Sequence, residues 1–76
     1  MMNARAIMSK DIAEKFGKRV RVIRLEKGMS QGDIAKKLNV GISYISKIER
    51  GTANMSLKNI ERLAKALKAP MGELIK

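Results

Sequence analysis

The sequence predicts an all-α fold of five short helices. Apolar residues recur at three- and four-residue spacing, and no stretch sustains the every-second-residue alternation of a strand. Ser30 and Ser56 precede such runs as helix caps, while Gly28, Asn39 and Gly51 follow them as stops. The only proline, Pro70, ends one run and can open another.

Residues 1–10 are weakly patterned and read as an N-terminal extension; residues 11–76 read as a single domain. The first helix begins at Ser9 or Lys10, with Asp11 and Glu14 suited to its N-terminal dipole. Ile12, Phe16, Val20 and Ile23 mark its buried face, and Lys15, Lys18, Arg19, Arg21 and Arg24 occupy the others. Gly17 lies inside this helix, at a cost of about 1 kcal/mol relative to Ala.

The second helix, Gln31–Leu38, has Ser30 as N-cap and Asp33 at the reciprocal capping position. Met29 and Ile34 have the spacing of a hydrophobic staple, and Ile34, Ala35 and Leu38 face inward. Asn39 suits a left-handed stop. After the break Asn39–Val40–Gly41, the third helix runs over Ile42–Arg50. Ile45 and Ile48 point inward, and Ser43, Ser46, Lys47 and Arg50 lie opposite, with Ile42 and Tyr44 at the margins. In the fourth helix Leu57, Ile60, Leu63, Ala64 and Leu67 form the apolar stripe, and Met55 and Ile60 the staple. A last short helix spans Met71–Ile75. Its apolar residues exceed what a free terminal turn needs.

Seventy-six residues supply a thin core, which makes efficient packing or dimerisation important. The chain has no Cys and no His, so disulfides, thiolate chemistry, the common zinc ligands and most nucleophile–base pairs are excluded. No Gly-rich phosphate loop and no convergent carboxylates are present, which argues against an enzyme. No cofactor or metal is expected. No apolar run approaches the roughly 18–20 residues needed to span a bilayer, and the first ten residues lack a signal-peptide pattern. Localisation is therefore expected to be cytoplasmic, on the nucleoid through DNA. The net charge of +10 makes nucleic acid the first partner to expect, because neutralising phosphates releases condensed counterions. One Tyr, one Phe and no Trp disfavour single-strand recognition by base stacking.

From about Phe16 to Ile75 the chain resembles the phage Cro and lambda-repressor family of helix-turn-helix DNA-binding domains. The resemblance rests on IRLEKGMSQGDIAKKL, on YISKIERG, and on SLKNIERLAKAL from position 56. Within Gln31–Arg50 the fourth, fifth, fifteenth and eighteenth residues are Ile34, Ala35, Ile45 and Ile48, the packing positions of that motif. The ninth is Asn39, where the family usually has Gly. The resemblance implies a compact five-helix domain of the lambda-repressor-like type with a central helix-turn-helix.

It also implies roles for individual residues. The third helix would enter the major groove N-terminal half first, with Ile42, Ser43 and Lys47 facing base edges beside Gly41. Lys47 can donate to guanine and Ser43 to several bases, whereas Ile42 can touch only a thymine methyl. Gln31, Tyr44, Arg50, Thr52, Asn54, Lys58 and Asn59 would meet the DNA backbone. Arg24 and Glu49 occupy positions at which the family commonly forms an ion pair. Leu67, Met71, Leu74 and Ile75 would form a homodimer face for a near-palindromic operator, and no small-molecule ligand is implied.

A chain of this length without a sensor or effector domain resembles the small controller proteins of restriction–modification systems. A phage-type or antitoxin-like repressor, or protein–protein use of the same fold as in some coactivators, are the alternatives. A membrane-active amphipathic peptide would instead be one long basic helix, without the repeated caps and stops.

Overall fold

The structure, a computed structural model, describes residues 9–75, so most of the expected N-terminal extension, residues 1–8, lies outside the described residues. The described residues form five helices and no strand: α1 (Lys10–Glu26), α2 (Gln31–Leu38), α3 (Ile42–Arg50), α4 (Leu57–Leu67) and α5 (Met71–Leu74). No helix among them is long and apolar enough to cross a membrane.

Local chemistry sets the helix boundaries. Ser9, Ser30 and Ser56 each accept a backbone N–H from the first turn of α1, α2 and α4. At α2 the capping box is complete: Asp33 N–H donates to Ser30 Oγ at 3.0 Å, and Ser30 N–H donates to Asp33 Oδ2 at 2.8 Å. That backbone hydrogen bond holds the exposed Asp33 carboxyl below the usual carboxylate range. Asn39 ends α2 in the left-handed region at φ 57°, and Gly51 ends α3 at φ 78°. Lys68 ends α4 at φ 54° with no glycine or asparagine to favour that conformation. Its carbonyl accepts from Lys27 Nζ at 2.7 Å, which secures the turn from the end of α1. Pro70 caps α5, one residue shorter than its sequence pattern.

The core draws on all five helices, with Val20, Ile34, Ile45, Leu63 and Leu67 at zero exposure. Two features position α3. First, α1 crosses its C-terminal end at backbone distance. A Cβ on Gly17 would collide with the Ile48 carbonyl oxygen and lie 2.6 Å from that of Glu49, and one on Gly51 would lie 2.7 Å from Glu14 Cα. Second, Arg62 donates to the Leu38 carbonyl at 3.0 Å, tying α4 to the end of α2. Arg19 holds α5 against α1, donating to the Glu73 carbonyl at 3.0 Å and its carboxylate at 3.2 Å.

Three sequence expectations are corrected. Ile12 is 54% exposed, and Ala13 takes the inward place. The buried face of α1 runs through Ala13, Phe16, Gly17, Val20, Ile23 and Arg24, and Gly17 is the point where α1 meets the α3 backbone most closely. Leu57 is exposed, and Met55 takes the buried place at the start of α4. Leu67 and Leu74 are buried in the chain's own core, Leu74 at 1% exposure, and so are removed from any dimer face. Met71 is half-buried and Ile75 exposed.

Candidate nucleic-acid interface

The outer face of α3 is built by periodicity. Ile45 and Ile48 anchor the inner side, which turns Ile42, Ser43, Lys47 and Arg50 to solvent. Ser46, half-buried, lies between them at helical spacing from Ile42, Ser43 and Arg50. The pattern placed it on the outer face with Ser43 and Lys47, but it is less exposed than either. Ile42 is 56% exposed, with its tip near Gly32 at the start of α2, so it stands at the corner between the two helices.

This helix is held from behind by a buried ion pair. Arg24 Nε donates to Glu49 Oε2 at 2.6 Å and Arg24 Nη2 to Glu49 Oε1 at 3.1 Å. The side chains are only 10% and 6% exposed. The third Arg24 nitrogen, Nη1, donates to the Met29 carbonyl at 2.9 Å, just before the cap of α2. Gln31 Nε2 donates to Glu49 Oε1 at 3.2 Å. One carboxylate thus joins the end of α1, the start of α2 and the end of α3. Glu49, which would repel DNA if free on the surface, is neutralised inside. The family resemblance implied the Arg24–Glu49 pair; Gln31 on the same carboxylate was not foreseen, because a contact between side chains on two helices has no periodic signature.

The flanking residues differ in how free they are. Asn54 and Lys58 are exposed. Thr52 donates its hydroxyl and its N–H to the Lys47 carbonyl, at 3.3 Å and 3.0 Å, and so closes the last turn of α3. Tyr44 and Asn59 are half-buried and line a cleft of about 220 Å³ with Leu38, Val40, Met55 and Arg62. Among the described residues no cluster of acidic, His or Cys side chains is arranged to hold a metal ion.

A capped pair of short helices, the second solvent-facing and locked from behind, is the geometry of a helix-turn-helix. A model of the helix-turn-helix family matches residues 20–74. The chain belongs to the helix-turn-helix family. Among relatives in that family, control protein C.BamHI of Bacillus amyloliquefaciens is 51% identical over 61 residues, spanning 79% of this chain and 75% of its own. The restriction–modification controller protein C.AhdI from Aeromonas hydrophila superposes with a TM-score of 0.78 at 42% identity, over 87% of this chain and 98% of that one. The controller C.Esp1396I, solved as a tetramer in complex with its natural 35 base-pair operator, gives a TM-score of 0.72 at 36% identity, over 86% of this chain and 96% of that one. As a helix-turn-helix protein the chain is thus like restriction–modification controllers, a group of regulators and not of enzymes.

Proposed function

We propose that this helix-turn-helix protein is a sequence-specific double-stranded DNA-binding transcriptional regulator that acts as a homodimer, of the kind that controls a restriction–modification system. The observation that carries the reading is the exposed α3 face, with Ser43 and Lys47 presented to solvent and the acid beside them, Glu49, withdrawn into an ion pair. The net charge of +10 supplies the sequence-independent attraction. Ile42, Ser43 and Lys47 face base edges; Gln31, Tyr44, Arg50, Thr52, Asn54, Lys58 and Asn59 flank the DNA backbone. Residues 11–76 act as one domain. A regulator of this kind would act in the cytoplasm, on the nucleoid through DNA.

Lys47→Ala is expected to cost about 1–3 kcal/mol at one base position per half-site, whereas Arg50→Ala weakens all sequences alike and lowers the salt slope by about one. Anisotropy with selected and scrambled duplexes across salt separates the two. A uniform loss for Lys47→Ala would mean that another face of α3 enters the groove. Flat, weak binding to every duplex would favour a protein partner for the same surface.

The dimer reading rests on the tetramer of C.Esp1396I on its operator and on the apolar residues left outside the core at α5, Met71 and Ile75. Two α3 helices then lie about 34 Å apart, one turn of DNA. Ile75→Lys is expected to give a folded monomer by ultracentrifugation with at least tenfold weaker operator binding, a penalty of about 1.4 kcal/mol or more. An unchanged dimer would move the interface elsewhere. Adjacent methyltransferase and endonuclease genes would favour a controller over a phage-type or antitoxin-like repressor.

A further inference from the structure

We infer that Arg62 is a positioning residue for sequence discrimination: by holding the Leu38 carbonyl it fixes the turn that aims the N-terminal half of α3, without itself touching DNA. The inference goes beyond the reading above and rests on it in one respect, that Ser43 and Lys47 face base edges.

The two ends of α3 are held by different means. Directional contacts fix the C-terminal end. Arg24 grips both carboxylate oxygens of Glu49, and the α1 backbone lies against the Ile48 and Glu49 carbonyls and against Gly51. The N-terminal end, which carries Ile42 and Ser43, begins at Gly41, a cap that makes no side-chain hydrogen bond. Ile45 is fully buried near this end, but apolar packing is not directional. The aim of the N-terminal half is therefore set by the turn at 39–41 that leads into it.

That turn is fixed to α2. Asn39 is left-handed at φ 57°, and Val40 N–H donates to the Ala35 carbonyl at 3.0 Å. The end of α2 must then be held against the rest of the domain. A helix leaves its last carbonyls without partners of its own. Leu38 is the last residue of α2, and its carbonyl accepts from Arg62 Nη2 at 3.0 Å, across 24 positions of sequence. The donor is a cation at the negative end of the α2 dipole, so charge and geometry act together. Arg62 also lines the cleft with Val40 of the turn and Tyr44 of α3. One guanidinium on α4 thus registers the residue before the turn, beside one within it and one after it. Base-edge hydrogen bonds are directional, whereas attraction to phosphate acts at a distance. A tilt of the N-terminal half of α3 therefore costs discrimination before it costs general affinity.

Affinity is measured by anisotropy for a selected duplex and a scrambled one, over a salt series, for the wild type, Arg62→Met and Arg62→Lys. Methionine keeps an apolar stem and loses the donor and the charge. Arg62→Met is expected to weaken the selected duplex about three- to tenfold per half-site and the scrambled one less than about twofold, with an unchanged salt slope. Arg62→Lys keeps a donor and the charge, and is expected to recover about half or more of the lost discrimination. In NMR spectra of the free protein, Arg62→Met should move the amide signals of 39–41 and leave those of 49–51 in place. An equal loss on both duplexes, with a salt slope lower by about one, puts Arg62 on phosphate and overturns the inference. A lowered melting temperature with wild-type binding of both duplexes makes Arg62 purely structural and overturns it too, as does a lysine variant no better than methionine. A wild type that does not distinguish the duplexes would instead sink the reading of α3 itself, before any variant is compared. Should Arg62→Met fail to fold, Arg62→Gln, whose stem is too short to reach Leu38, replaces it with the same outcomes deciding.

Discussion

Arg24→Ala is expected to lower the free energy of unfolding by about 3–5 kcal/mol, and Glu49→Ala by a similar amount. Either change leaves one buried charge without its partner, at a site where the two side chains are 10% and 6% exposed. The loss is a large fraction of the whole, because a chain of 76 residues has only about 4–11 kcal/mol to lose. Arg24 also releases the Met29 carbonyl, so its removal is expected to be the worse of the two. The double replacement Arg24→Met with Glu49→Leu should cost far less than the sum of the single changes, since it leaves no orphaned charge. Urea denaturation of the four proteins checks this directly. Single-variant losses below about 1 kcal/mol would mean that water reaches the pair and that it behaves as an ordinary surface bridge.

Gly17→Ala should destabilise the protein by about 2–4 kcal/mol, in the range of overpacking, although the position is helical. On helix propensity alone the same change would stabilise by about 1 kcal/mol. The structure reverses the sign. An added Cβ collides with the Ile48 carbonyl oxygen and sits 2.6 Å from that of Glu49 and 2.9 Å from Glu49 carbonyl carbon, all of them backbone atoms without rotamers to yield. To admit the methyl group, α1 must lift from the end of α3, and that strains the Arg24–Glu49 pair about two turns further along α1. Gly17→Ala therefore carries a second expectation: reduced operator affinity in the fraction that stays folded, because α3 is displaced. A melting temperature equal to or above that of the wild type would show that α1 and α3 do not approach so closely.

How much of this was legible in the sequence depended on the range of the interaction. Caps and stops are settled within four residues, and Ser30 with Asp33, Asn39 and Gly51 all act as their types foretell. The inner faces of α2 and α3 were equally readable, since Ile34, Ala35, Leu38, Ile45 and Ile48 repeat at the period of the helix. So was the solvent face of Ser43, Lys47 and Arg50. Periodicity misled where packing was unusually tight or ran out. It ranked Ile12 above Ala13 because it weighs size, whereas the crossing of α1 on α3 selects for smallness. It extended the α4 stripe to Leu57, beyond the reach of any neighbouring element. It gave Leu74 to a partner subunit, because a four-residue helix is too short to reveal which side lies against the core.

By itself, then, the sequence determined the number and limits of the helices, the basic character of the chain and the residues that α3 turns outward. These follow from backbone hydrogen bonding, helical period and net charge, none of which needs a distant neighbour. Only the tertiary structure decided that Gly17 is an interhelical contact, that Leu74 closes the core, and that Gln31 joins Arg24 on the Glu49 carboxylate. Each of these depends on distances between residues far apart in the chain, 18 positions for Gln31 and Glu49, and such distances are set by packing.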